Sequence, residues 1–168
     1  MTDFDGLYRQ HAPHVRRYVR HLSGDTALAD DITAETFVRV WQTRDTLRHE
    51  TLRAFLFAIA RNLFLSGARV AWRRAALEDV HPDPSPDPET RVQARDESAR
   101  LERALAALGP ADREPLVLRA IEGLSYDAIG QVMNLPAGTA KVRVHRARRR
   151  LLTLMNPVPA RTAEGDPV

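Results

Sequence analysis

SYDAIGQVMNLPAGTAKVRVHRARRRLL, residues 125–152, reads as two helices joined by a tight turn, the second loaded with positive charge. Ser125 opens the first helix by offering its hydroxyl oxygen to a backbone N–H, and Asp127 suits the positive end of that helix's dipole. Gly123 stops the helix before it. Asn134, Pro136 and Gly138 fall in the turn. In the second helix Ala140, Val144, Ala147 and Leu151 recur at helical spacing, one apolar stripe that must meet a core. Lys141, Arg143, His145, Arg146, Arg148, Arg149 and Arg150 then face away from that core, and no acidic side chain occurs between Asp127 and Glu164. A merely solvated helix face usually mixes both signs of charge. A face of one sign on the second helix of a helix-turn-helix suits duplex DNA, whose phosphates are neutralised by cations with release of counterions.

The charge changes sign along the 168 residues. Residues 1–76 carry 12 basic and 8 acidic side chains, residues 77–100 carry 3 and 7, and residues 101–156 carry 9 and 5. The acidic piece contains HPDPSPDPE, where Pro82, Pro84, Pro86 and Pro88 alternate and deny the backbone both helix interior and sheet donors. The reading is all-α: two small helical domains, 1–76 and 101–156, joined by a flexible acidic proline-rich linker at 77–100 and followed by a disordered tail at 157–168.

Cysteine is absent, which excludes disulfides and thiolate metal sites, and MTDFDGLYRQ holds no apolar signal segment, so a cytoplasmic protein is expected. The most apolar stretch, residues 54–65, is interrupted by Arg61 and Asn62 and falls short of the roughly 20 residues of a membrane span. No glycine-rich phosphate loop and no His-Glu metal pattern occurs, so neither an enzyme nor a cofactor is expected. Basic charge is almost all arginine, Lys141 being the one lysine.

The first domain reads as three helices. Phe4, Leu7, Tyr8, Val15, Tyr18, Val19 and Leu22 form a helical stripe that Pro13 should kink or restart, and Gly24 ends it. From Thr26 to Thr43, Ala29, Ile32, Thr36, Phe37 and Val40 share one side, which turns Asp31 and Glu35, with Asp30 near them, to the other. A third helix from about Thr51 to Arg74 buries Leu52, Leu56, Ile59 and Leu63 and lines up Asn62, Ser66, Arg69 and Arg73 on its flank. Phe55 is expected in the core, and Gly67 weakens the helix by about 1 kcal/mol relative to alanine.

The blocks ADDITAETFVRVW, LRAFLFAIARNLF, a proline-rich acidic linker, and ALAALGPADREPLVLRAIEGLSYDAIGQVMNLPAGTAKVRVHRARRRL, in this order, resemble an extracytoplasmic-function sigma factor of bacterial RNA polymerase over residues 4–155. The resemblance implies that the first domain binds the polymerase clamp helices through Asp30, Asp31 and Glu35 and opens the promoter at the minus-ten element. Ala34 stands where the family often has glutamine. The loop TRDTLRHE, residues 43–50, corresponds to the segment that captures a flipped base, with Arg44, Arg48 and His49 as candidate contacts. Asn62 is the candidate strand contact, with Arg61, Arg69 and Arg73 as phosphate ligands. Ser66 and Gly67 replace residues that are commonly polar and charged.

The second domain would read the minus-thirty-five element. Gly138, Thr139, Lys141, Val142, Arg143 and His145 lie toward the N-terminal end of the recognition helix, where base edges are read. Arg146, Arg148 and Arg149 are candidate phosphate ligands. Val142 stands where many members have serine and could touch a thymine methyl. The implied partners are core RNA polymerase and promoter DNA, and family members are often held inactive by an anti-sigma factor, though no residue here names one. The alternative is a conventional helix-turn-helix regulator, which would share the C-terminal unit but would need neither the IARN block nor the acidic linker.

Overall fold

Helix boundaries in the computed structural model, which describes residues 3–78 and 96–157, fall where local chemistry can satisfy the chain ends. Helix α1, Phe4–Ser23, closes on Gly24, whose φ of 67° lets its N–H reach the carbonyl of Arg20 at 2.8 Å. Asp25 then starts α2, Thr26–Gln42, by accepting the N–H of Leu28 at 3.1 Å. Two single 3-10 turns, Arg44–Thr46 and His49–Thr51, lead into α3, Leu52–Glu78, which continues through Gly67.

Pro13 does not restart the chain: α1 runs as one helix through it. Its ring lies on the exposed side, and Ala12, Val15, Tyr18 and Val19 around it are buried in one continuous stripe. Burial of that stripe outweighs the roughly 3 kcal/mol that proline costs a helix interior. Phe55 is also not a core residue. At 37% exposure it leaves the interior to Leu56, Phe57 and Ala60. Edge-on aromatic contacts of Phe4 with Trp41 and Tyr8 with Phe37, each with ring centroids 4.9 Å apart, pin α1 to α2. The buried hydroxyls of Thr33 and Thr36 donate to the carbonyls of Ala29 and Ile32, so no polar group is stranded between these helices.

After residue 95 the chain forms α4, Asp96–Ala107, then α5, Pro110–Leu116, which continues as a π turn over Val117–Ile121. Arg113 closes the end of α4 by donating to the carbonyls of Leu105, Ala106 and Leu108. Gly123, at φ 70°, releases the chain toward α6, Tyr126–Met133, which Ser125 caps through the N–H of Ala128. Asn134 turns in the left-handed region at φ 56°, and α7 runs over Ala137–Met155, so Gly138 belongs to its first turn and not to the connection. Ala140, Val144 and Ala147 are buried and Leu151 partly so. Helix α7 packs on α5 and α6, and no strand occurs among the described residues.

The two helical units share a core. Helix α6 lies on α3, and α5 with its π turn lies on α1, so one buried cluster passes from Leu7 to Ala147.

The helix-turn-helix is tightest at Gly130. A Cβ there would lie 2.5 Å from the carbonyl oxygen of Leu135 and 3.4 Å from the nitrogen of Ala137. Gly130→Ala is expected to destabilise the fold by about 2 kcal/mol, because backbone and not a flexible side chain must give way. Urea denaturation followed by circular dichroism checks this, against Gly138→Ala, where nothing lies within 4 Å and no loss is expected.

Candidate nucleic-acid and polymerase interface

Burial of the α7 stripe sets the rotation of the recognition helix. Gly138, Lys141, Val142, His145, Arg148 and Arg149 are exposed, and Thr139 and Arg143 are half-buried beside them. Val142 is 65% exposed, an apolar side chain that the core does not use. Arg146 is placed differently from its neighbours. Its Nε donates to Oδ1 of Asp112 at 3.0 Å, and Arg150 reaches Oδ2 at 2.6 Å. The Asp112 side chain is 3% exposed, so these two arginines fasten α7 to α5 and keep a buried carboxylate paired.

In the first unit, Asn62 is exposed on α3. Arg61 is not beside it in solvent: its Nε donates to Oε1 of Glu114 on α5, and its side chain is only 19% exposed. Arg44 folds back over the Trp41 ring at 4.0 Å and donates to the Trp41 carbonyl, whereas Arg48 is exposed. The side chains of His49, Arg69 and Arg73 lie outside the described residues, as do most of the acidic linker and nearly all of the 157–168 tail. Asp30, Asp31 and Glu35 are exposed on α2. Asp30 pairs with Arg16 at 2.7 Å and Glu35 with Arg39 at 3.4 Å, and Asp31 has no ion-pair partner among the described residues.

Sequence reasoning missed three buried acids that join these elements: Asp112, Glu114 and Glu122. Two of them could have been suspected, because Asp112 and Glu114 sit four residues before the buried Leu116 and Leu118, on the inward side of a helical repeat. Glu114 accepts the Tyr18 hydroxyl at 2.7 Å as well as Arg61. Burial and the adjacent Glu114 carboxylate hold the Tyr18 hydroxyl well above its usual range, so it stays a donor. Glu122 accepts Arg17 through both carboxylate oxygens, at 2.8 and 3.1 Å, and lies 3.0 Å from Nδ1 of His14. That hydrogen bond raises the Arg17 guanidinium further above its usual range, against a smaller opposing effect of burial. Arg53 donates to the Glu122 backbone carbonyl at 2.8 Å. Burial lowers the imidazole pKa of His11, with Arg53 and His14 adding to the effect, and burial likewise lowers that of His21.

Two family profiles match this architecture in order: Sigma-70 region 2 over residues 7–74 and Sigma-70, region 4 over residues 98–151. The sigma factor SigE of Mycolicibacterium smegmatis is 37% identical over 98% of this chain, which spans 66% of SigE's length. SigL of Mycobacterium tuberculosis H37Rv is 33% identical over 88% of this chain and 86% of its own. Among solved structures, the sigma factor RpoE of Bartonella quintana, in complex with the anti-sigma factor NepR, superposes with a TM-score of 0.76 at 27% identity, covering 92% of this chain and 98% of that one. CnrH, in complex with the cytosolic domain of CnrY, gives 0.67 at 25% identity, covering 90% and 86%. An all-α chain with a helix-turn-helix and a second helical unit of this kind is a promoter-recognition subunit by class, and this one belongs to the extracytoplasmic-function sigma factors of RNA polymerase.

The basic residues of α7 therefore divide into two sets by partner. Replacing Arg146 and Arg150 together by alanine leaves the Asp112 carboxylate buried and unpaired, and the expected cost is about 3 kcal/mol. Replacing the exposed Arg148 and Arg149 together is expected to cost no more than about 1 kcal/mol. Thermal and urea unfolding of the two double variants check the contrast.

Proposed function

We propose that this chain joins core RNA polymerase through the exposed acids of α2, holds the minus-thirty-five element on α7 and opens the minus-ten element along α3. The single-sign groove face of α7 carries the reading. Lys141, Val142, Arg143 and His145, with Gly138 and Thr139 ahead of them, are the base-edge set, and Arg148 and Arg149 are phosphate ligands that position the duplex. Arg146 serves the pairing with Asp112 first. On α3, Asn62 contacts the separated strand, with Arg61 available to phosphate only once it leaves Glu114. Arg69 and Arg73 extend that track, and Arg44, Arg48 and His49 border the base pocket. The site of action is the cytoplasm, the protein carries no catalytic group of its own, and an anti-sigma factor, as found with RpoE of Bartonella quintana, is the class of regulator proposed.

Promoter-specific transcription in vitro with purified core polymerase tests the reading, since a conventional regulator would footprint its operator alone and leave core polymerase unbound. Asp31→Arg with Glu35→Arg is expected to leave the fold intact and to weaken core binding by about tenfold or more, because like charges then meet at the docking face. Pull-down with core polymerase and circular dichroism measure the two arms, and unchanged binding would mean that the acidic face is only solvated.

The two kinds of recognition-helix contact separate by their effects on sequence preference. Arg149→Ala should weaken binding alike on all target promoters and lower the salt slope by roughly 1. Val142→Ser should cost about 1 kcal/mol or more only at the base pair whose thymine methyl it touches. Selection from a randomised minus-thirty-five library checks both.

A further inference from the structure

Helix α2 shows solvent a face that carries less free charge than its acids suggest. At about 100° per residue, Ala27, Asp31, Ala34 and Val38 run down the middle of that face, with Asp30 on the border toward α1 and Glu35 on the opposite border, all of them exposed. Both border acids are already engaged. Nε of Arg16, on α1, lies 2.7 Å from Oδ1 of Asp30, and Arg39, one turn further along α2, donates its Nε to Oε1 of Glu35 at 3.4 Å. Asp31, on the midline, has no ion-pair partner among the described residues. An incoming cation therefore finds one free carboxylate, set in a line of small and apolar side chains. Val38 and Trp41, each about half exposed, continue that line toward the end of the helix and supply its apolar area.

All four side chains of the two border pairs are about half exposed. A pair so open to water shifts an equilibrium by no more than about fivefold, so a partner can displace it, but not without loss. A cation approaching Asp30 or Glu35 meets a guanidinium already in place, and must drive it off or share the carboxylate with a like charge. We propose that Arg16 and Arg39 attenuate docking onto core RNA polymerase: they hold Asp30 and Glu35 in internal pairs and leave Asp31 as the one charge through which α2 engages a basic helical surface of the polymerase. This inference rests on α2 being the docking element in the proposed function. Affinity for the polymerase is then set in part by two arginines that make no contact with it.

Dissociation constants of the full chain for purified core polymerase test the idea. Arg16→Gln with Arg39→Gln releases both border acids and is expected to tighten binding about tenfold, at roughly threefold for each released pair. Arg9→Gln with Arg20→Gln removes the same charge from exposed arginines of α1 that pair with no acid among the described residues, and is expected to change affinity by no more than about twofold. Asp31→Asn is expected to weaken binding about tenfold, and Asp30→Asn with Glu35→Gln by no more than about threefold. In the background lacking both border acids, the Arg16 and Arg39 replacements should no longer tighten binding, because nothing remains for them to release. The inference is overturned if those replacements leave the parent's affinity unchanged or lower it. It is equally overturned if the Arg9 and Arg20 control tightens binding as much, or if the gain persists without the border acids, since net charge would then explain it. Every position is exposed, and circular dichroism confirms the fold. Should the arginine double variant lose helicity, Arg39→Gln alone decides, with about threefold tightening expected. A parent chain that does not bind core polymerase overturns the proposed function and this inference with it. A parent that binds, weakens on Asp31→Asn and gains nothing from the Arg16 and Arg39 replacements overturns this inference alone.

Discussion

A carboxylate taken out of water must be met by a cation or by hydrogen-bond donors, and three such carboxylates organise this molecule. Asp112 fixes the recognition helix to the helix beneath it, Glu114 ties α5 to α1 and α3, and Glu122 ties the turn before α6 to the same two helices. Each sits at the edge of an apolar cluster whose burial supplies the attraction but does not by itself fix a unique arrangement. The charges add direction. A slide of the second unit along α1 and α3 would separate Glu122 from Arg17 and Glu114 from Arg61 at once, leaving acids buried without partners, a loss of several kcal/mol each.

Much of the architecture was legible in the sequence because it rests on local rules. The stripe Ala140, Val144, Ala147 and Leu151 fixed the rotation of α7, and with it the exposure of Val142 and Arg149. Ser125, Gly24 and Gly123 mark helix ends for reasons of capping and left-handed backbone that need no tertiary information. Pro13 does not break α1 in two because a local penalty of about 3 kcal/mol is small beside the burial of the residues on either side. Phe55 was misplaced because helical spacing alone cannot say which edge of an apolar stripe meets a neighbour.

The candidate site was legible only where it faces solvent. Arg61 and Arg146 looked like their exposed neighbours in a one-dimensional reading, since a basic residue on a helix flank is ordinarily hydrated. Their partners lie 53 and 34 residues away, and only the packing of α5 brings the carboxylates to them. A buried acid and a distant arginine are each unremarkable until the fold joins them.

The pairing of Arg61 with Glu114 also constrains how the sequence can change by descent. A replacement of Glu114 alone strands a guanidinium in a site only 19% open to water, and a replacement of Arg61 alone strands an acid whose other partner is a phenol that must remain protonated. Contacting residues of this kind couple by about 0.5 to 3 kcal/mol, so the effect of either change depends on the other. Drift at these two positions is therefore correlated across 53 residues of chain, and a change at one is tolerated best in a lineage that already carries its counterpart at the other.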